Sequence, residues 1–504
     1  MSSCAFCDHF PSRRVRFMSE VRVASDRRWW ALSVLSITQL IVVLDATIVT
    51  IALPYAQADL GIRDADKQWV FTAYTLMFGG LLLLGGRLAD YVGRRRILLI
   101  GLVGFAVASL VAGAAVSGGM LFAGRALQGM FAALLAPSAL SLVSVTFTQA
   151  HERARAFAVF GGVSGAGFAI GLIGGGALTQ FVSWRWCLLV NTPIVLATAA
   201  AALAVVVRDV PVRRVGGYDL PGVVFVTAGL ASVVYGFNRA AQAGWGAAST
   251  VTLLVTGVCL LLAFVAIEAR VANPLLPLRI PGEINRGGSF LVALLIPIAM
   301  YAVFLFLSYY FQETLGYSPL KAGIAFLPFP IGIVVSAGVA SRLLPQVGPR
   351  VLMLAGALLG AGGLIYLAQL RVGDTYWAAV LPGEIVIALG MAQIFVAMQA
   401  TALYGIDDHD AGVASGLLNA VQQIGASIGT ALLTTIAVQV SERYVLSHPP
   451  SPDLPAHAAI HSFDIGFYWG AGFFVISAIV VAVTIRVRRL DLVTESDRQA
   501  AMPV

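Results

Sequence analysis

Residues 86–97 read GRLADYVGRRRI, and this basic stretch separates two long apolar runs. Four arginines and one aspartate fall within the stretch, whereas both flanks are almost free of charge. A run of about 20 apolar residues is long enough to cross a bilayer as a helix, and arginines collect in short cytoplasmic loops. The stretch therefore predicts a tight cytoplasmic turn between two membrane-spanning helices.

The composition of the whole chain agrees with this interpretation. Of the 504 residues, 59% are hydrophobic and 11% are charged, whereas a soluble domain carries about 25% charged residues. Short polar breaks divide the chain into fourteen apolar runs, at 31–53, 68–86, 97–116, 120–145, 156–180, 186–207, 220–238, 247–267, 289–311, 321–341, 351–370, 376–402, 412–438 and 466–485. The sequence predicts an all-α polytopic membrane protein with fourteen transmembrane helices.

The distribution of positive charge predicts the orientation in the cell membrane. An even number of helices places both termini on one side. If that side is the cytoplasm, most of the 32 lysines and arginines fall in inner segments, as the positive-inside rule requires. The arginine-rich start before Trp29 resembles part of a signal peptide, but the apolar run after it is too long and has no clear cleavage site. We expect an uncleaved first helix and two cytoplasmic termini.

A second stretch, SRLLPQVGPRVL at 341–352, matches the first at an equivalent position between two apolar runs. The identical residues form the pairs Arg87 and Arg342, Leu88 and Leu343, Val92 and Val347, Gly93 and Gly348, and Arg95 and Arg350. Two related halves in the same orientation are the plan of a rocking transporter. The alternative is a shared turn composition, because many turns between helices contain glycine and arginine.

The repeat divides the chain into five segments. Six helices fall on each side and leave two helices inserted between the halves. The predicted segments are a cytoplasmic tail (1–28), an N-terminal six-helix bundle (29–208), a linker with two inserted helices (209–286), a C-terminal six-helix bundle (287–487) and a cytoplasmic tail (488–504).

Further motifs occur in a fixed order along the chain. They are LDATIVTIALP (44–54), RALQGMFAA (125–133), WRWCLLVNTP (184–193), YYFQETLGYSPLKAG (309–323) and GVASGLLNAVQQIGASIGTALL (412–433). Together with the loop at 86–97, they resemble the major facilitator superfamily, and within it the 14-helix drug–proton antiporter family. Thr50 stands where the first motif usually has asparagine. The resemblance implies the major facilitator fold, export of drugs driven by the proton gradient, and no cofactor.

The fifth helix is similar to the antiporter motif of this family. Gly162, Gly171, Gly175 and Gly176 match its glycines, but Leu172 takes the place of its proline. A proline there would bend the helix, so Leu172 keeps a proton-coupled importer open as an alternative. Glycines spaced four apart also form a face on which helices pack closely.

Three charges fall inside predicted helices, where an ionised group costs about 2.5–3.5 kcal/mol on insertion scales. Asp45 and Glu384 lie about 12 Å from the outer ends of their helices, and Arg125 about 8 Å, at about 1.5 Å per residue. Burial favours a neutral carboxyl group and a nearby guanidinium favours a carboxylate. We therefore expect Asp45 to exchange a proton as Arg125 approaches and retreats, with Glu384 as a second proton or substrate contact. The alternatives are a static ion pair and, for Glu384, a helix cap.

Two further sets of candidate residues are predicted. The first rests on the family resemblance, and the second on polar or aromatic side chains within the predicted helices. The resemblance implies that the cytoplasmic loop latches the two halves, through Gly86, Arg87, Asp90, Gly93, Arg94 and Arg95; for the arginines, simple membrane anchoring is the alternative. Candidates for the substrate cavity are Gln128, Asn191, Gln393, Tyr74 and Tyr301. Hydrogen bonds between helices are the alternative role for the amides, and packing for the aromatic residues.

Other functional classes find little support. Neither Lys67 nor Lys321 follows a glycine, so the chain has no Walker A motif. Cys4 and Cys7 form a single CxxC, which is a weak zinc signal, and a start at Met18 would remove it. We expect no metal, no catalytic residues and no nucleic-acid partner. The sequence predicts a monomeric, proton-coupled exporter of small amphipathic compounds; an importer, or a membrane enzyme or sensor, are the alternatives.

Overall fold

The computed structural model describes residues 12–64, 66–147, 150–206, 219–271, 274, 276–406 and 411–487. Within these ranges the regular structure is helical. Its elements are α1 (Ser12–Leu60), α2 (Trp69–Val92), α3 (Arg94–Gly113), α4 (Gly118–Thr146), α5 (Ala150–Phe181), α6 (Trp186–Leu189), α7 (Asn191–Val205), α8 (Leu220–Ala243), α9 (Ala248–Glu268), α10 (Arg279–Gly282), α11 (Ile284–Tyr309), a π-helical turn (Tyr310–Thr314), α12 (Pro319–Ala325), α13 (Pro328–Val347), α14 (Pro349–Leu367), α15 (Tyr376–Ala379), α16 (Leu381–Ala402), α17 (Ala411–Ser447) and α18 (Leu454–Thr484).

Some sequence predictions fall outside this part of the chain. Cys4, Cys7 and the tail 488–504 lie outside the described residues, as does the side chain of Asp90. For the tail 1–28, the described chain begins at Ser12, where α1 already starts.

Eleven helices in the described residues are long and apolar enough to cross a membrane. Three shorter apolar helices, Trp69–Leu82, Ala166–Phe181 and Pro221–Phe237, lie where the sequence predicts its second, fifth and seventh spans. The prediction of fourteen spans is therefore confirmed in part: eleven helices in the described residues have the full length of a span, and three are shorter.

Several predicted runs differ from the helices in their boundaries, and prolines explain most of the differences. Proline favours the first turn of a helix because it lacks an N–H group. Pro328 is the first residue of α13 and Pro382 the second of α16, and the runs 321–341 and 376–402 are each divided into two helices. Pro455 is the second residue of α18, which begins at Leu454, twelve residues before the predicted start of the last run at 466. The polar residues of the first turns of α18 had lowered its apparent hydropathy.

The two repeated loops share their backbone geometry. Gly93 ends α2 with a φ of 106°, and Gly348 ends α13 with a φ of 82°. These left-handed values favour glycine over residues with a side chain. The arginine two positions later also makes the same kind of contact in each half. Arg95 donates to Leu203 O at 2.6 Å, and Arg350 donates to Ala482 O at 2.7 Å.

Helix packing follows the same repeat. In the first half α2 and α3 pack on α4, α1 packs on α5, and α3 packs on α7. In the second half α13 and α14 pack on α16, α11 packs on α17, and α14 packs on α18. These pairs occupy equivalent positions in the two halves. The exact segment boundaries proposed from the sequence remain a prediction.

The inserted helices α8 and α9 pack on each other, and α8 lies across the seam between the halves. Thr435 of α17 donates to Phe237 O at 2.9 Å, and Gln439 donates to Ala240 O at 2.8 Å. On its other side, Thr227 of α8 donates to Gly80 O of α2 at 3.4 Å. Below, the inner side is the side that carries the α2–α3 turn, and the outer side is the opposite one.

Candidate functional site

Asp45 lies in α1 and is fully buried. Its Oδ2 accepts a hydrogen bond from Arg125 Nη1 at 2.5 Å, which makes an ion pair between α1 and α4. Its Oδ1 accepts hydrogen bonds from Gln128 Nε2 at 2.8 Å and from Asn191 Nδ2 at 2.7 Å. Both oxygens of the carboxylate are therefore bound by side chains from other helices.

Arg125 is itself held in place by α2. Its Nε donates to Val70 O at 2.9 Å, and its guanidinium lies 4.5 Å from the centre of the Tyr74 ring, close enough for a cation–π contact. Gln128 also donates to Ser109 Oγ of α3 at 2.9 Å. We call Asp45, Tyr74, Ser109, Arg125, Gln128 and Asn191 the Asp45 network. It joins five helices of the N-terminal half.

The sequence explains how α4 reaches this position. Arg125 and Gln128 are three residues apart, so they share one face of a helix. Gly129 follows them, and a Cβ at this position would lie 2.2 Å from Tyr74 O. Real Cβ atoms do not approach a carbonyl oxygen so closely, so a side chain here would push α4 away from α2. The glycine of the RALQG segment thus allows the arginine to reach Asp45.

The ion pair of Asp45 and Arg125 is buried away from water. Removing one member of a buried pair leaves an uncompensated charge, which is strongly unfavourable. Protonation of Asp45 would cancel its attraction for Arg125, and separation from Arg125 would favour protonation. The network can therefore convert proton binding into a movement of α1 relative to α4.

The predicted cavity residues fall into two groups. Gln128 and Asn191 are fully buried and hydrogen-bond to Asp45, so in this structure they take the alternative role of joining helices. Tyr74 is buried against Arg125. Tyr301 is buried in α11, with its ring 6.0 Å from that of Phe71, and Gln393 is half-buried in α16.

Glu384 lies in the other half of the protein and does not join the Asp45 network. It lies about eight residues into the span Tyr376–Ala402, as the sequence predicts. That span is divided at Val380, so Glu384 also falls in the first turn of α16, which begins at Leu381. Its side chain is fully buried. Oε2 is 3.4 Å from the hydroxyl of Tyr376, which also donates to Ala325 O at 2.8 Å. Oε1 has no hydrogen-bond partner among the described residues.

The sequence analysis missed Asp464 as an intramembrane carboxyl group. It lies in α18 and is half-buried, and its Oδ1 has no partner among the described residues. The predicted last run began two residues after it. Pro455, which begins the helix, is the signal that would have placed Asp464 inside a span.

In the loop between α2 and α3, the structure describes part of the predicted latch. Arg87 donates to Pro274 O, in the segment that follows the inserted helices. Arg94 and Arg95 are half-buried, and a Cβ at Gly86 would make only an ordinary contact, 3.7 Å from Pro137. The latching role of this loop stays a prediction.

The glycines of α5 bring this helix close to two neighbours. A Cβ at Gly175 would lie 2.7 Å from Ile48 O of α1, and one at Gly171 would lie 1.9 Å from Thr47 Oγ1. A Cβ at Gly176 would lie 2.6 Å from Pro319 O of α12, in the other half. Gly162 lies in the same helix, which continues without a break through Leu172.

The outer ends of the two halves are in contact. Ser308 of α11 donates to Thr50 O of α1 at 2.9 Å, and Tyr309 donates to Gln57. The ammonium group of Lys67 lies 4.0 Å from the centre of the Tyr309 ring. The π-helical turn begins at the next residue, and such turns often mark functional sites. The structure thus has a closed outer seam between α1 and α11.

Cysteines introduced by Thr50→Cys and Ser308→Cys are expected to form a disulfide in the closed state. The Ser308 hydroxyl reaches the Thr50 carbonyl oxygen at 2.9 Å, so the two positions lie close together across the seam, as a disulfide requires. In a variant without its native cysteines, oxidation should block transport and reduction should restore it. The single substitutions serve as controls. Full transport by the oxidised double variant would show that the outer seam need not open.

A cluster of aromatic rings lies further along the seam. Phe168 of α5 lies 5.1 Å from Phe304 of α11, and Phe304 lies 5.3 Å from Phe329 of α13, between ring centres. Phe168 and Phe304 are only half-buried. The cluster joins the two halves through apolar contacts that a rocking motion can separate.

Comparisons with known proteins agree with this architecture. Residues 35–430 match the family model described as the Major Facilitator Superfamily. The chain is 45% identical to a puromycin resistance protein of Streptomyces alboniger over 91% of this chain and 92% of that protein. It is 41% identical to a cephamycin export protein of Amycolatopsis lactamdurans over 79% of this chain and 82% of that protein.

A solved structure shows the same fold at low sequence identity. A peptide transporter in complex with sulfate matches with a TM-score of 0.64 and 14% identity, over 90% of this chain and 96% of that one. With its many membrane-spanning helices, the chain is a multi-pass protein of the cell membrane. It belongs to the Major Facilitator Superfamily.

Proposed function

We propose that the protein is a proton-coupled exporter of small amphipathic organic compounds. It works by alternating access, as a monomer with fourteen spans and two cytoplasmic termini. The observation that carries the proposal is the buried ion pair between Asp45 and Arg125, 2.5 Å apart, which proton binding can break. The names of the relatives, which concern puromycin resistance and cephamycin export, support antibiotics as substrates.

The closed outer seam supports assigning the described arrangement to one stage of the proposed cycle. With the outer ends joined and Asp45 paired to Arg125, the protein is ready to bind a substrate from the cytoplasm. Opening on the outer side then exposes Asp45 to protons. Protonation releases Arg125, the substrate leaves, and the protonated carrier returns. Loss of the proton to the cytoplasm restores the ion pair.

The half-buried aromatic cluster indicates which compounds fit. Phe168 and Phe304 belong to different halves and are in direct contact, with ring centres 5.1 Å apart. When the halves separate here, a substrate that enters between the rings contacts both of them. Aromatic faces bind flat apolar groups and also attract cations. Compounds with a ring system and a polar or cationic end therefore match this surface. Glu384 offers a second carboxyl group in the C-terminal half, either for a proton or for a cationic substrate.

Uptake into inverted membrane vesicles tests export directly. Respiration acidifies the interior of such vesicles, so an exporter should accumulate puromycin or a cephamycin inside them. A protonophore should abolish the accumulation, and vesicles without the protein serve as the control. Accumulation only in right-side-out vesicles would instead establish the importer. Accumulation that persists with a protonophore would contradict proton coupling.

A further inference from the structure

Two carboxyl groups meet at the inner end of the inserted helices. Asp219 caps the start of α8, and Glu268 is the last residue of α9. Their relative exposures are 6% and 3%, so both are more than nine-tenths buried. The mechanism proposed above uses neither of them.

Each carboxyl group has one oxygen fixed by the backbone. Asp219 Oδ1 accepts from Gly222 N at 2.9 Å, and Glu268 Oε2 accepts from Leu276 N at 3.0 Å. The remaining oxygens, Asp219 Oδ2 and Glu268 Oε1, have no other hydrogen-bond partner among the described residues. These hydrogen bonds orient both groups and leave one free oxygen on each.

The two free oxygens point to the same place. A Cβ at Gly222 would lie 2.3 Å from Asp219 Oδ2 and 2.9 Å from Glu268 Oε1. Both oxygens therefore border the same small space, where the two carboxyl groups interact electrostatically. Because Gly222 has no side chain, both oxygens can approach this position, which a Cβ would block.

The charges around the pair decide which ligand fits. Two adjacent carboxylates in a buried site cannot both be ionised, so one of them holds a proton. Two backbone groups of the segment that follows α9 take part: Pro274 O accepts from Arg87, and Leu276 N donates to Glu268. Arg87 of α2 therefore lies near Glu268, and its single positive charge balances the one negative charge that remains. An adjacent guanidinium disfavours a metal ion at this position.

We propose that Asp219 and Glu268 form a proton-binding site in which one proton bridges the two carboxyl groups. The proton lies between Asp219 Oδ2 and Glu268 Oε1, and the titration belongs to the pair rather than to either residue. The site is separate from Asp45. It adjoins the α2–α3 loop through Arg87, so a movement of this loop changes the charge balance around the bound proton.

Infrared difference spectroscopy on the full-length protein in liposomes tests the proposal. A protonated carboxyl group has a C=O band that shifts in D2O and disappears when the proton is lost. Subtracting the spectrum of Glu268→Gln from that of wild type at neutral pH should reveal such a band. Asp219→Asn should remove the same band, because the two residues share one proton. Two independent carboxylic acids would instead give two different bands.

Glu283→Gln is the matched control. Glu283 lies at the same inner side, but its oxygens already accept from Asn285 N at 3.1 Å and Arg286 N at 2.8 Å. It should keep the wild-type band. The amide of Glu268→Gln can donate to Asp219, so we expect this variant to fold, and Asp219→Asn provides a second, independent test. If either folded variant keeps the full wild-type band, the shared proton is disproved, whether or not the protein exports drugs.

Discussion

Substrate-driven proton release by the Asp45→Asn variant is expected to fall to the level of liposomes without protein. The amide has nearly the shape of the carboxyl group and can still accept from Arg125 or Asn191, so the helices should keep their arrangement. It cannot, however, take up or release a proton in this pH range. Transport of the substrate down its own concentration gradient should persist in this variant, because that movement requires no proton.

Glu442→Gln is a suitable control, since Glu442 is an exposed carboxylate near the outer end of α17. It should release protons like the wild type. The measurement is the pH change in weakly buffered proteoliposomes after the substrate is added. Unchanged release by Asp45→Asn would make the Asp45 network a structural ion pair. Proton coupling would then have to depend on another carboxyl group, at Glu384, at Asp464 or in the pair Asp219 and Glu268.

Replacement of Arg125 by methionine is expected to lower the free energy of unfolding by about 3–5 kcal/mol, the usual effect of removing one partner from a buried ion pair. The substitution leaves Asp45 buried without its cation, and it also removes the donors to Val70 O and Gln128. Chemical unfolding in detergent would measure the loss. The double variant Asp45→Asn, Arg125→Met should be more stable than Arg125→Met alone, because it has no unpaired charge.

Arg63→Met is the matched control for this stability measurement. Arg63 pairs with Asp66, but 72% of its side chain is exposed to solvent. Exposed ion pairs contribute little to stability, so this variant should unfold like the wild type. Strictly additive effects of Asp45→Asn and Arg125→Met would show that the two side chains do not stabilise each other.

The sequence predicted the helical membrane fold and the pairing of Asp45 with Arg125. Both follow from the free-energy cost of placing unpaired polar groups and charges inside a bilayer. Long apolar runs have few alternatives to a membrane helix, and a buried charge needs a partner. The same argument could not place Gln128 and Asn191 around Asp45. Their contacts depend on how each helix is rotated about its axis and how deep it lies, and a single sequence does not fix either property.

Residues near helix ends were harder to predict. Asp464 was left outside the predicted last run because hydropathy smooths over the few polar residues that begin a helix, whereas α18 starts at Leu454, next to Pro455. The pair Asp219 and Glu268 had no local signal at all. These residues are far apart in the chain, and only the packing of α8 on α9 brings them together.

The inserted helices make the two flanks of the molecule unequal for a compound dissolved in the lipid. Such a compound can approach the centre sideways, between helices of opposite halves. Between α2 and α17 it meets α8, which is hydrogen-bonded to both. Between α5 and α12 it meets no inserted helix in the described part of the chain. We therefore expect hydrophobic substrates that enter from the bilayer to use the flank of α5 and α12 and to reach the aromatic cluster from the side of Phe168.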